Sequence, residues 1–482
     1  MTDENQQPIL SQEQIDSVIS LYSSHQFQEA IDQILLLDEA YPNVPFLFNL
    51  IGACYKQLGQ LELSAKMFGK AVGLKPEYAE AHKNLGITLK DLSQLDAAVK
   101  SLNVAIAIEP NYLDAHYNLA ITFKELKNLE AAVKSYKTAI EINPNFFEAY
   151  NNLGNVYKDL NQFDDAIKSY EIAIKLKPDY PSTHNNLGNT FKDIKHYDDA
   201  IKSYQKAIEL NPEFAEAHYN HGLVLKDLGL MDDAIKSFEE AINIRPAYAY
   251  AHKNLGSILM SLSRLDEAVL SFERAIKIEP DYVEALHSLG NALIIIGKVK
   301  LGAKYYEKVI EINPDFAEAH YSLGNIFRDL KQRDKAHLCY EIATSIKPDM
   351  DFVFGSFLNN KMNLGIWDDY LNQLKKLKTK INNNENAIGP FSLLGLIDDP
   401  AIQRKASEIF TNYHYAKNHT LKKISIYPKH KKIRIGYFSG DFKIHPVAHL
   451  TAELYELHDR NHFEIYAFSL SKDTNDDLNR RI

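Results

Sequence analysis

Along residues 11–350 the apolar side chains recur three and four apart, interrupted at regular intervals by short polar turns. In Ala-Ile-Lys-Ser-Tyr-Glu-Ile-Ala-Ile (166–174) the apolar positions fall on one face, which predicts a helix buried on that side. The pattern returns every 34 residues. Ten prolines keep this spacing without insertion or deletion: Pro42, Pro76, Pro110, Pro144, Pro178, Pro212, Pro246, Pro280, Pro314 and Pro348. Gly52, Gly86, Gly154, Gly188, Gly222, Gly256, Gly290 and Gly324 form a column in phase with them, with Ala120 filling the gap. Alanines form two more, one through Ala98, Ala132 and Ala166, the other through Ala71, Ala105 and Ala139. An aromatic follows most prolines by two residues, as in Tyr78, Tyr112 and Phe146. Each unit thus predicts two helices. The proline ends the second, because it has no N–H and disfavours helix in the residue before it. The small-residue columns predict places where two helix backbones approach closely.

This pattern resembles the tetratricopeptide repeat, whose period is 34 residues. In phase, ten units run from 11–44 and 45–78 to 317–350. The first has Val18 in place of the glycine but keeps Ala30 and Pro42. Such units bury their apolar faces only against neighbours, so the expected fold is an all-α, right-handed superhelix.

The chain has 482 residues and two cysteines, Cys54 and Cys339, too many repeats apart to pair. Residues 1–10 read as a disordered N-terminus without a basic or strongly apolar leader, and no run approaches 18 apolar residues. A reduced, cytoplasmic protein with no membrane partner is expected. Residues 1–350 carry 35 basic and 49 acidic side chains, a net −14, and residues 351–482 carry 19 and 15, a net +4. Phosphate backbones need a basic footprint, so nucleic acid is not expected, and neutral or basic polypeptides suit the array better.

Two residues before the glycine column stand Asn84, Asn118, Asn152, Asn186, Asn220 and Asn254, followed by Ser288 and Ser322. In tetratricopeptide proteins the first helix of each unit lines the concave surface, so the resemblance implies a ladder of amides down a groove. An amide donates and accepts at once, as a peptide group does, so the ladder can hold an extended polypeptide by its main chain. The alternative is that these amides bond to a neighbouring helix as consensus packing residues. A histidine column (His82, His116, His184, His218, His252 and His320, with Phe48 and Tyr150 in phase) reads as packing. A metal needs several ligands within about 2 Å of one ion, and these lie a repeat apart, so no metal site is expected.

After Pro348 the 34-residue register dissolves. Residues 351–382 still look helical and are expected to cap the last unit, residues 382–390 form a loop, and 401–417 a further helix. The basic stretch 418–432 reads as a linker, completing a cap-and-linker region over 351–432. Lys-Ile-Arg-Ile-Gly-Tyr-Phe-Ser (432–439) then reads as a strand, Val447–Leu457 as a helix and 463–469 as a second strand. That βαβ order opens a Rossmann-like α/β sheet, in which ligands bind beyond the strand C-termini.

The segment Ile435-Gly436-Tyr437-Phe438-Ser439-Gly440-Asp441-Phe442, with His445-Pro446 and His449-Leu450, resembles the opening of the catalytic region of protein O-GlcNAc transferases. Trp367-Asp368-Asp369-Tyr370 is similar to that family's bridge from repeats to catalysis. The resemblance implies a two-lobed glycosyltransferase that moves N-acetylglucosamine from UDP-GlcNAc to Ser or Thr of proteins; relatives of the SPINDLY branch use GDP-fucose. It also implies a role for His445, which matches a histidine near the sugar-nucleotide site and follows a strand C-terminus. His445 can equally bond the turn backbone, Asp441 can shape the turn or cap the helix, and His449 lacks the further ligands of a metal site. The chain ends at Ile482, about 50 residues into a region (433–482) expected to run for several hundred, and no Gly-rich phosphate loop is present. An inactive N-terminal part of an enzyme is therefore expected, with UDP-GlcNAc as donor substrate and no resident cofactor. A non-enzymatic repeat scaffold is the other class, and it has no use for an opening βαβ unit.

Overall fold

In the computed structural model, residues 10–414, 432–439 and 459–469 are described. Every 34-residue unit is a helical hairpin. α1 (Gln12–Ser23) and α2 (Phe27–Ala40) form the first, α3 (Pro45–Gln57) and α4 (Leu61–Leu74) the second. The alternation continues to α19 (Ala317–Asp329) and α20 (Arg333–Ile346), giving ten hairpins over the expected units. The turn inside a hairpin is chemically defined. In α9 (Phe147–Asp159) the helix ends as Asn161 takes a left-handed φ of 58°, and Gln162 N–H bonds back to the Tyr157 carbonyl at 2.8 Å. This wrap satisfies carbonyls that the helix end would leave unpaired. Each second helix stops two residues before its proline: α10 (Phe163–Leu176) is capped by Lys177 N–H on the Ala173 carbonyl, and Pro178 follows.

The glycine column does something other than bring backbones together. A Cβ on Gly154 would lie 2.6 Å from the Tyr170 ring, on Gly188 2.7 Å from Tyr204, on Gly256 2.8 Å from Phe272, and on Gly86 2.6 Å from Leu102. The space is filled by a large side chain sixteen residues later, on the second helix of the same hairpin. These rings are fully buried. The core is continuous from hairpin to hairpin: Leu225 and Phe238, Leu255 and Phe272, and Leu289 of the next unit pack in one cluster. No hairpin owns a separate core, which is the condition for a solenoid.

The array continues further than its prolines. α21 (Val353–Asn363) packs on α20 as a first helix packs on the hairpin before it. The helical stretch expected over 351–382 is two helices, divided at Gly365 and Asp369, both with left-handed φ, with α22 (Tyr370–Asn382) following.

The chain divides into two compact units, Met1–Gln373 and Leu374–Ile482. In the second, α23 (Pro390–Leu394) and α24 (Pro400–His414) precede β1 (Ile433–Ser439) and β2 (Phe463–Ser469). The strands pair in parallel, Ile433 opposite Phe463 through Ser439 opposite Ser469. Parallel neighbours require a crossover between them. The helix expected at Val447–Leu457 lies outside the described residues, as does 415–417.

Candidate functional site

First helices of successive hairpins touch one another, α3 with α5 (Ala79–Asp91) and α5 with α7 (Leu113–Glu125), more extensively than second helices do. The array therefore curves towards its first helices, and the amide column on them faces the inner side.

One rule runs through the asparagines of that column, though not through Ser322, for the Nε2 of His287, 35 residues before it, has no hydrogen-bond partner. The residue 35 positions earlier, on the preceding first helix, decides each amide's partner. Asn84 donates to Asn49 Oδ1 at 3.1 Å, Asn152 to Tyr117 Oη at 2.8 Å, and Asn186 to Asn151 Oδ1 at 3.2 Å. Asn220 donates to Asn185 Oδ1 at 3.0 Å and Asn254 to Tyr219 Oη at 3.1 Å. Where the earlier residue is a lysine, which has no acceptor, the side chain turns back on its own helix. Thus Asn118, opposite Lys83, donates to the Asp114 carbonyl at 2.7 Å, and Ser288, opposite Lys253, to the Glu284 carbonyl at 2.7 Å. The rule extends into α21: Ser356 lies 3.4 Å from Tyr321 Oη, again 35 residues apart.

These bonds tie repeats together, the packing role that stood as the alternative to a peptide-binding ladder. They do not exhaust the column. Asn84, Asn118, Asn186 and Asn220 are half-buried and spend one side-chain N–H each within the fold, leaving the second N–H and the carbonyl oxygen. Asn152 also accepts from Asn151. Asn254 is closed. It is 7 % exposed, donates to Tyr219 and the Tyr250 carbonyl, and accepts from Lys226 Nζ at 3.3 Å.

The histidine column is engaged locally. His82, His116, His184, His218, His252 and His320 each place Nε2 2.8–3.0 Å from the carbonyl of the proline six residues earlier, Pro76 for His82 and Pro314 for His320. This pins each first helix to the loop that enters it.

Carboxylates and phenols share the inner edge. Burial first, then Glu80 and Asp114, push the Tyr112 phenol up to about 12. Burial, Tyr219 and Glu216 do the same for Tyr248, also to about 12. Lys253 is shifted down by burial and by Lys226, against the pull of Glu284. Sequence reading did not find this edge; its signal was the acidic residue at the second position of most first helices, as in Glu80, Asp114, Glu148 and Glu216.

His445, Asp441 and His449 lie outside the described residues. Among the described residues no helix is long and apolar enough to cross a membrane.

Comparison with known proteins follows the same division. The TPR repeat family matches five stretches between residues 88 and 294, and further tetratricopeptide repeat families match 47–78, 215–248, 283–316 and 305–337. Glycosyl transferase family 41 matches 405–482. Among curated proteins, the probable UDP-N-acetylglucosamine–peptide N-acetylglucosaminyltransferase SEC of Arabidopsis thaliana is 38 % identical over 52 residues, 11 % of this chain and 5 % of that protein. Anaphase-promoting complex subunit 3 of Dictyostelium discoideum is 34 % identical over 65 residues, 14 % of this chain and 7 % of that protein. The chain thus spans less than a tenth of the length of either. Among solved structures, MamA is 30 % identical with a TM-score of 0.33, covering 36 % of this chain and 94 % of its own. YrrB, described as a TPR protein with an unusual peptide-binding site, is 26 % identical with a TM-score of 0.33, covering 39 % and 98 %. The chain is a tetratricopeptide-repeat protein with a match to glycosyl transferase family 41 at 405–482, an O-GlcNAc transferase-like combination.

Proposed function

We propose that this chain is the polypeptide-binding part of a protein O-glycosyltransferase, whose repeat groove presents Ser and Thr residues of cytoplasmic proteins to the family 41 region. The observation that carries this reading is the order of elements: a long repeat array followed by a family 41 match that contains the parallel β1–β2 pair. A scaffold built only of repeats has no use for that pair. The groove contacts are the remaining N–H and carbonyl of Asn84, Asn118, Asn186 and Asn220, which complement a peptide group. UDP-GlcNAc is the donor that fits the resemblance to the SEC protein, and His445 is the residue proposed to act as base or positioning group near it.

The test has two arms. Replacing Asn84, Asn118, Asn186 and Asn220 together by Ala is expected to weaken binding of an uncharged, unstructured Ser/Thr-rich peptide, with helical circular dichroism retained. Unchanged affinity in a folded variant removes the groove reading. In a protein carrying a complete family 41 region, transfer from UDP-GlcNAc is expected, and His445→Ala is expected to slow turnover roughly 10²–10⁴-fold. Transfer from GDP-fucose instead replaces the donor, and wild-type turnover in the variant removes His445.

A further inference from the structure

The second position of a first helix carries a carboxylate in most repeats, and twice the chain supplies its own cation to it. In the seventh repeat Arg245 lies 3.4 Å from Glu216 and 4.8 Å over the Tyr248 ring. In the tenth, Lys347 lies 2.9 Å from Glu318. Both cations stand 29 residues after their carboxylate, at the end of the second helix. The ninth repeat keeps the carboxylate, Glu284, and the ring, Phe316, but 29 residues after Glu284 stands Asn313. The built-in cation is gone.

In its place is a cavity of about 410 Å³. Three rings bound it, Tyr250, Tyr282 and Phe316, and three carboxylates, Glu279, Asp281 and Glu284. Tyr250 is unusual here, because most repeats have an acidic residue in its position. Its ring is half exposed and meets the Tyr282 ring at a centroid distance of 5.2 Å. None of the three carboxylates has an ion-pair partner among the described residues. Lys253 is the one cation in the lining, so the pocket is net negative by two. Rings with carboxylates at their edges attract a cation both by charge and by the negative faces of the aromatics. The place also adjoins the amide column, since Tyr250 lies one turn before Asn254.

We infer that this pocket takes a Lys or Arg side chain of a polypeptide lying in the groove, the incoming cation filling the place that Arg245 and Lys347 fill in their own repeats. The inference rests on the groove reading and adds a side-chain preference to it. Arginine fits better than lysine, because its planar guanidinium can stack on a ring while pairing with a carboxylate.

The experiment uses the full chain and two labelled Ser/Thr-rich peptides, one with arginines and one with citrulline, its uncharged isostere, at the same places. Anisotropy titrations are expected to show at least about fivefold tighter binding of the arginine peptide. Asn313→Lys, which rebuilds the internal pair, and Asp281→Asn/Glu284→Gln are each expected to abolish that preference while citrulline-peptide binding persists. Asp232→Asn/Glu239→Gln, an equal charge change on an exposed second helix, is expected to keep it. A preference that survives Asn313→Lys, or that falls as far in the Asp232/Glu239 variant, overturns the pocket. Equal binding of both peptides by the wild-type chain overturns this inference alone, whereas binding of neither overturns the groove reading as well.

Discussion

Tyr170 donates its phenolic hydrogen to Asn155 Oδ1 at 2.8 Å, fifteen residues earlier on the partner helix of the same hairpin. The pair recurs as Tyr204 with Asn189, Tyr306 with Asn291 and Tyr340 with Asn325. Where the ring is phenylalanine, the earlier residue is not asparagine: Phe68 faces Ala53, Phe238 faces Leu223 and Phe272 faces Ser257. A buried hydroxyl needs an acceptor, and the chain supplies one in step with it. Tyr136, opposite Ile121, departs from the rule. Tyr170→Phe is expected to destabilise the chain by about 1 kcal/mol, since it strands the Asn155 carbonyl. Adding Asn155→Leu, the pairing of Phe238, is expected to recover most of the loss. Additive effects in denaturant titrations of the two single variants and the double would contradict the coupling.

The Gly290 backbone leaves room for Tyr306, whose ring lies 2.5 Å from where a Cβ would sit. Gly290→Ala is expected to cost about 1–3 kcal/mol through overpacking. Tyr306→Ala in the same background, which takes the ring away, is expected to make the added methyl cheaper, whereas a leucine would not, since Leu102 stands 2.6 Å from where a Cβ on Gly86 would sit. A melting temperature that does not move in Gly290→Ala would sink the account.

Burial lowers the pKa of His287, and its Nε2 is buried without a hydrogen-bond partner. His221 shares both features. With the folded pKa below the unfolded one, both states are neutral at higher pH and the stability is complete. As pH falls below the unfolded value of about 6.5, the unfolded chain takes up the proton first, so stability is lost progressively towards the depressed folded pKa. Unfolding free energy should therefore fall between about pH 7 and pH 5, and His287→Phe, which sits among the Tyr306 and Phe316 rings, should flatten that slope. An unchanged slope removes His287 as a contributor.

Burial also pushes the Cys54 thiol up to about 11, and Cys339 upward as well. Alkylation needs the thiolate. Both cysteines should resist iodoacetamide in the native chain near pH 8 and react at once after unfolding, with buried Cys54 the slower in the folded state. Rapid labelling of native Cys54 would show that the second hairpin opens readily.

The repeat length, helix order and ten units were legible because the prolines and small residues recur without a slip. What occupied the glycine space was not. A column of small residues reports that something large lies near, and only the pairing with Phe68, Leu102 or Tyr170 sixteen residues on says what. A helical cap after Pro348 was legible, but that α21 keeps the repeat register was not, because the proline and glycine signals lapse there, although Ser356 still occupies the amide column. The amide partners were hidden for a different reason. They depend on a residue 35 positions earlier that changes between asparagine, tyrosine and lysine, so no single column displays them.

That dependence makes the last prediction a gain rather than a loss. Asn118 bonds its own helix because Lys83 offers no acceptor, while Asn186 reaches across to Asn151. Lys83→Asn should let Asn118 donate across the repeat boundary, but it also removes the Lys83 ammonium from its place 5.6 Å over the Tyr112 ring. Lys83→Ala removes the same cation without supplying an acceptor, so the two variants differ by the new bond. Lys83→Asn should exceed Lys83→Ala in stability by about 0.5–1.5 kcal/mol, the net worth of one half-buried hydrogen bond. In an Asn118→Ala background the difference should vanish, because the donor is gone. If it persists there, asparagine at position 83 stabilises the chain by some other contact, and the 35-residue rule does not govern the column.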